Sequence, residues 1–149
     1  MTLEELLETS ADLMSDDQIR EFLREQGVGI LALPDEPFPY VVPMSFGYDG
    51  DSTLYFVFLL FGTASHKETL AESAEGGRFL VYRARSMHDW QSVTLTGQIS
   101  AAAEDEWGDV RSAMQNAWHP DLFSSASPMR GVRPYQFRVE EWTGIHRHE

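Results

Sequence analysis

The feature that most limits the fold is a series of short apolar segments separated by turn-forming residues. Five follow one another between residues 28 and 102: VGILAL, PYVVPMSFGY, STLYFVFLLF, RFLVYRA and WQSVTLTGQISAA. They are rich in β-branched and aromatic residues, and Gly, Pro and Asp mark the breaks between them. PYQFRVEEWTGIHRHE adds a sixth segment at the end of the chain. The pattern predicts a mainly β fold, with six antiparallel strands in a closed barrel and flanking helices.

Three segments have helical patterns, at residues 15–26, 64–77 and 103–118. The first begins at Ser15, a residue type that caps helices, and places apolar residues on one face before a glycine ends it. No repeat or linker divides the chain. We therefore expect a single domain over residues 1–149, in which residues 1–14 are a peripheral N-terminal helix or extension.

The charge is strongly acidic, with 24 acidic residues against 11 basic ones and a net charge of −13. Such a surface repels nucleic acids and anionic membranes, so neither is an expected partner. Acid excess with almost no lysine is typical of proteins in a salt-rich cytosol, which predicts a halophilic protein.

The chain has no cysteine, which leaves no disulfide or thiolate metal site. Its N-terminus, MTLEELLETS, lacks the basic and apolar regions of a signal peptide. The longest strongly apolar run, LYFVFLLF, is far shorter than the roughly 20 residues that span a bilayer. These features predict a cytoplasmic protein.

Lys67 is the single lysine of the chain and lies in FGTASHKETLAE, where a strand pattern changes to a helix pattern. The start of a helix presents unpaired backbone N–H groups and the positive end of the helix dipole. With Ser65 and His66 beside it, Lys67 predicts a phosphate site. The alternative is a solvated lysine in the first turn of a surface helix.

Three segments in this order resemble the flavin-binding split-barrel family typified by pyridoxamine 5′-phosphate oxidase, and in particular its small stand-alone haloarchaeal-type members. They are PYVVPMSFGYDG, LYFVFLLFGTASHKETL and WQSVTLTGQI. The resemblance covers residues 15–145 and implies a split barrel that binds FMN. The tail, WTGIHRHE, departs from the substrate motif of the oxidases, so oxidation of a vitamin B6 phosphate is not expected.

The resemblance also implies which residues contact the FMN. They come from the second strand, from the phosphate segment and from the fifth strand: Pro43, Met44, Ser45, Phe46, Ser65, His66, Lys67, Trp90, Gln91 and Ser92. The alternative for the second strand is that Met44 and Phe46 fill the barrel and Pro43 lies on an edge. No residue pattern indicates catalytic residues or a metal site.

We therefore predict an FMN-dependent oxidoreductase, a reductase or oxidase, acting on a small molecule. Two alternatives stay open. One is a flavin-binding carrier or sensor without turnover. The other is a split barrel that binds a deazaflavin or haem instead, for which His66, His88 and His119 are candidate axial ligands.

The resemblance further implies a homodimer with its flavin sites at the interface. LYFVFLLF, Trp118 and Trp142 are the candidate apolar contacts between the two copies.

If the acidic excess is an adaptation to salt, the melting temperature should rise with KCl concentration. Carboxylates repel one another in dilute buffer, and molar salt shortens the screening length to about 3 Å. Thermal melts between low and molar KCl measure the effect. A flat or falling melting temperature would assign the charge to another role, such as binding a basic partner.

Overall fold

The computed structural model describes residues 11–59, 76–103, 105, 107–113 and 132–147. These residues form seven β-strands and two α-helices. In chain order the elements are β1 (Asp12–Leu13), α1 (Asp16–Glu25), β2 (Val28–Leu33), β3 (Tyr40–Tyr48), β4 (Thr53–Leu59), β5 (Gly77–Ser86), β6 (Asp89–Ala101), α2 (Trp107–Ala113) and β7 (Val132–Arg147). The six predicted strands correspond to β2–β7.

The strands form one antiparallel sheet that closes on itself. Its order is β1-β7-β4-β3-β2-β5-β6, and a further pairing joins β6 back to β7. The closed ring therefore has six strands, which confirms the predicted barrel, and β1 is an additional strand at the edge of β7. Because β1 has only two residues, it shows no alternating pattern from which it could have been predicted.

Two strands, β7 and β3, pair with different neighbours along their length, which interrupts the hydrogen-bonded wall of the barrel. β7 pairs with β4 only as far as Arg138, and β1 lies beside its later residues. β3 pairs with β2 through Tyr40–Ser45 and with β4 through Phe46–Tyr48. Pro43 consequently has a paired strand on one side only, which confirms the edge position expected of a proline within a strand.

Helix α1 begins where the sequence predicts. The Ser15 side chain accepts from the backbone N–H of Gln18, and the Gln18 side chain accepts from the backbone N–H of Ser15, a complete capping box. Ile19, Phe22 and Leu23 are buried. The helix thus adds one apolar face to the core.

One side of each strand of the ring supplies the barrel interior. Leu31, Phe79 and Leu95 are register partners across β2, β5 and β6, and all three are fully buried. The ring centroid of Phe79 lies 4.9 Å from that of Phe56 and 5.3 Å from that of Phe46. The interior is a packed aromatic core.

A polar contact attaches α1 to the barrel. The indole Nε1–H of Trp142 on β7 donates to Asp16 Oδ1 at 2.9 Å, and the Arg20 guanidinium lies 5.3 Å from the Trp142 ring centroid. Gly144, two residues further along β7, has no room for a side chain, since a Cβ there would lie 2.8 Å from Ile19 Cγ1. The helix therefore packs directly against β7.

Two predicted helices lie wholly or partly outside the described residues. The segment at 64–77 is described only from Gly76, and that at 103–118 is described as a helix at Trp107–Ala113. Most of the predicted N-terminal extension at residues 1–14 also lies outside. Within the described part of the chain, no helix has the length and apolar character to cross a membrane.

Replacing Gly97 with alanine should destabilise the protein. Gly97 lies where β6 and β7 shift register, and a Cβ there would overlap the Arg138 carbonyl oxygen and lie 2.9 Å from Phe137 Cε1. We expect the free energy of unfolding to fall by about 1–3 kcal/mol in urea denaturation.

The matched control is Gly108→Ala in α2, where an added Cβ meets no atom within 4 Å. This change should raise the free energy of unfolding by roughly 0.5–1 kcal/mol, because alanine favours a helix over glycine. Equal effects of the two substitutions would contradict the proposed clash at Gly97.

Candidate functional site

The candidate site is built on the outer face of β3, β2, β5, β6 and β7, the side of these strands that points away from the core. Register partners place Pro43, Ile30, Leu80, Thr94 and Thr143 in one row across the five strands. Pro43, Thr94 and Thr143 are exposed, and Ile30 and Leu80 are half-buried. The row therefore joins a largely apolar half on β3, β2 and β5 to a polar half on β6 and β7.

The neighbouring residues extend the apolar half. Ala32 pairs with Val41, which is 59% exposed, and Tyr82 on β5 is 57% exposed. We call these residues together with the apolar half of the central row the outer patch: Ile30, Ala32, Val41, Pro43, Leu80 and Tyr82. Exposed apolar side chains that lie side by side in this way are typical of a surface that binds a ligand or another protein.

The four site residues predicted on β3 divide between the two sides of the strand. Pro43 is exposed and Ser45 half-buried, and both belong to the outer face. Met44 and Phe46 are only 6% and 1% exposed and lie in the core. Their side chains thus fill the barrel, so a contact of either residue with a ligand would have to come from the backbone.

The three site residues predicted on β6 divide in the same way. Trp90 and Ser92 share the outer face, where Ser92 pairs with Tyr82 of the outer patch. Gln91 lies on the opposite side of the strand, close to the turn between β5 and β6, and accepts a hydrogen bond of 2.9 Å from Arg83 Nη2. Arg83 was not among the predicted site residues, and no sequence motif marks it.

The predicted residues of β3 and β6 lie at opposite borders of the outer patch. Three strand spacings separate β3 from β6, which is roughly 14 Å. A single ligand that touches both borders must be elongated and must lie across β2 and β5. Ser65, His66 and Lys67 lie between β4 and β5, outside the described residues.

A cleft of about 440 Å³ continues the outer face towards the turn between β2 and β3. Its walls include Pro34 and Pro39 from this turn, and Ala32, Arg78 and Thr96 from the strands. The lining is mostly apolar, with Arg78 as its one cation. The cleft and the outer patch together form one largely apolar surface that could bind an apolar planar group.

A second cleft, of about 420 Å³, lies between α2 and the turn from β3 to β4. Burial raises the pKa of the Tyr48 phenol at its wall, assisted by the negative charge of Asp49. The hydroxyl donates to the Asp51 backbone oxygen at 2.7 Å. Tyr48 therefore stays protonated near neutral pH and serves as a structural hydrogen-bond donor.

Of the histidines named as candidate haem ligands, His88 is described and His66 and His119 are not. His88 lies in the turn between β5 and β6, where its backbone N–H donates to Ser86 Oγ at 3.1 Å. In the described ranges no three His, Asp or Glu side chains cluster as metal ligands would.

The sequence matches the family model for pyridoxamine 5′-phosphate oxidase over residues 15–146. No curated protein matches the chain.

Solved structures share the fold. A FAD-binding protein from Mesorhizobium loti is 19% identical, with a TM-score of 0.72 over 93% of this chain and 98% of that protein. A FAD-binding protein from Mycobacterium smegmatis is 12% identical, with a TM-score of 0.67 over 91% of this chain and 98% of that one. A FAD- and haem-binding protein from Mycobacterium smegmatis is 16% identical, with a TM-score of 0.64 over 94% of this chain and 74% of that one. At these identities the similarity shows the split-barrel fold alone.

Proposed function

Because the chain belongs to the pyridoxamine 5′-phosphate oxidase family, we propose that it is a cytoplasmic flavoprotein that binds FMN and acts as an oxidoreductase on a small molecule. One observation carries the proposal. Pro43, Ser45 and Ser92, which the sequence predicts as cofactor contacts, project from the same outer face and lie at opposite borders of the outer patch. This arrangement fits a cofactor that has an apolar ring system and a polar chain.

The residues present can meet the chemical needs of a flavin. The outer patch offers an apolar surface for the ring system, and Pro43 leaves one edge of β3 unpaired beside it. The Ser92 hydroxyl can donate to or accept from a polar chain. All three of the similar structures described above bind FAD, which supports a flavin in general.

The choice of FMN rests on the segment Ser65, His66 and Lys67. A terminal phosphate takes a cation and a hydroxyl donor well, and Lys67 is the single lysine of the chain. The proposed role of this segment is to hold the phosphate and so fix one end of the cofactor.

When bound, a flavin supplies the oxidation and reduction chemistry, and the protein supplies binding, orientation and exclusion of water. In this chain Ile30, Leu80 and Tyr82 would exclude water from one face of the ring system. Ser92 would orient the polar chain.

A carrier or sensor without turnover would use the same contacts. Haem remains the second candidate ligand, favoured by the similarity to the FAD- and haem-binding protein from Mycobacterium smegmatis.

The absorbance spectrum of the purified protein tests the cofactor. Oxidised flavin bands are expected, and titration of the apo-protein should give tighter binding of FMN than of FAD. A Soret band in place of flavin bands would favour haem. Turnover is then measured as oxidation of a reduced nicotinamide or deazaflavin donor in the presence of an acceptor.

Lys67→Ala should weaken FMN binding by roughly ten- to a hundredfold. A charge-assisted hydrogen bond contributes about 1.5–3 kcal/mol, and this substitution removes one. The measurement is a fluorescence titration of the apo-protein with FMN.

Arg138→Ala is the matched control, because it removes one positive charge from an exposed position on β7. It should leave the dissociation constant unchanged. Equal dissociation constants for the wild type and Lys67→Ala would contradict the phosphate site.

We propose that a second copy of the chain packs over the outer patch, so that the flavin lies at the interface between the two copies. LYFVFLLF is the apolar segment expected at the dimer interface. Its first three residues, Leu54, Tyr55 and Phe56, are instead buried within one chain. Trp142 is half-buried against α1, and Trp118 lies outside the described residues. The outer patch is therefore a further apolar surface that we propose for the dimer, and the predicted residues of β3 and β6 lie at its borders.

Light scattering in high salt should give twice the 16.9 kDa of one chain. Val41→Glu should shift the protein towards the monomer, because it places a charge in the outer patch. Gln98→Glu adds the same charge on β6 away from the patch and should have no effect. A monomeric mass for the flavin-loaded wild type would rule the dimer out.

A further inference from the structure

The turn between β2 and β3 presents an aromatic side chain to solvent. Phe38 is 76% exposed and stands between Pro37 and Pro39. A proline ring fixes its own φ, and the residue before a proline is held in an extended conformation. Phe38 therefore has little backbone freedom to lose when it binds a partner. Aromatic side chains are enriched in the cores of protein–protein interfaces, so Phe38 is a candidate contact.

The cleft of about 440 Å³ beside this turn is the apolar cavity into which such a side chain could fit. Pro34 and Pro39 form one wall, and Gly77 and Thr96 lie in the wall formed by the strands. Phe38 is not one of the lining residues, so it does not fill the cleft of its own chain. Clefts of this size hold small organic molecules, and a benzyl side chain is smaller than most of these.

The turn and the cleft are neighbours, because Pro34 and Pro39 belong to both. In a two-fold contact each copy gives and receives the same interaction, so the projecting residue and the cavity must lie on one face of the molecule. If they lay far apart, the same contact would link copies into an open filament. The placement of Phe38 beside the cleft therefore fits a closed dimer with reciprocal insertion.

The charges around the turn and the cleft also fit this contact. Glu36 in the turn and Arg78 in the cleft are both exposed, and neither makes an ion pair with another described residue. Glu140 also lines the cleft, but from β7, whereas Arg78 lies on β5. An approaching turn would thus place its carboxylate on the β5 side of the cleft, which selects one orientation.

We propose that the partner's Phe38 occupies this cleft and completes the cofactor site of each copy. The inference rests on the proposed function, because it takes the dimer and the flavin from there. Ala32 belongs both to the cleft and to the outer patch on which the flavin would lie. The partner's Phe38 would therefore cover that end of the cofactor and exclude water from it.

The dimer dissociation constant, measured by light scattering over a dilution series in high salt, tests the contact. Phe38→Ala should raise it roughly a hundredfold or more, because the dimer contains two copies of the buried aromatic side chain. Met87→Ala is the matched control. Met87 is also 76% exposed, but it lies in the turn after β5, at the opposite end of that strand from the cleft. This change should leave the constant as in the wild type.

Crosslinking tests which residues meet, and the absence of cysteine from the natural chain makes it specific. The double variant Phe38→Cys/Thr96→Cys, treated with a short bismaleimide, should give a covalent dimer of twice 16.9 kDa on a denaturing gel. The control Met87→Cys/Thr96→Cys should run as a single chain after the same treatment.

The outcomes separate this inference from the proposed function. If the wild type is a monomer, the proposed dimer and this inference are both wrong, whereas the absorbance spectrum tests the flavin independently. If the wild type dimerises but Phe38→Ala leaves the dissociation constant unchanged, only the Phe38 contact is overturned. A crosslink that forms within one chain, with no covalent dimer, would overturn it as well.

Discussion

The pairing of β6 with β7 is the interaction on which the rest of the structure depends. It runs from Ala101 opposite Tyr135 to Trp90 opposite Arg147, nearly the whole of both strands, and it joins the first half of the sheet to the last strand of the chain. Without it, β6 would be an open edge, and the aromatic core would be exposed along one seam. The register shift at Gly97 bends the two strands where they must curve around that core.

Closure of the barrel also decides where a ligand can bind. Phe56 packs against both Phe79 and Phe137, and all three are fully buried, so protein side chains fill the interior. A ligand can therefore bind only on the outer surface of the barrel. There the split between β3 and β4 leaves an unpaired edge beside an apolar patch, which is the reason that one side of the barrel differs from the others.

The acidic composition sets a condition on any anionic ligand. A net charge of −13 disfavours the approach of a phosphate, although salt screens this repulsion beyond about 10 Å at 0.1 M ionic strength. Affinity must then come from short, directed contacts. On our proposal the cation of Lys67 makes such a contact, which acts over the length of a hydrogen bond.

The sequence by itself determined the succession of the six strands along the chain and the start of α1 at Ser15, because these depend on local signals: apolar alternation and a capping residue. It did not determine which face of β2 and β3 would be inside. Leu31 and Ile30 are equally apolar, as are Val42 and Val41, and alternation shows only that neighbours point in opposite directions. Closure of β6 onto β7 made that choice, placing Met44 and Phe46 in the core and Pro43 and Ser45 outside. The Arg83–Gln91 contact, in turn, depends on the register of the β5–β6 hairpin, which no single residue encodes.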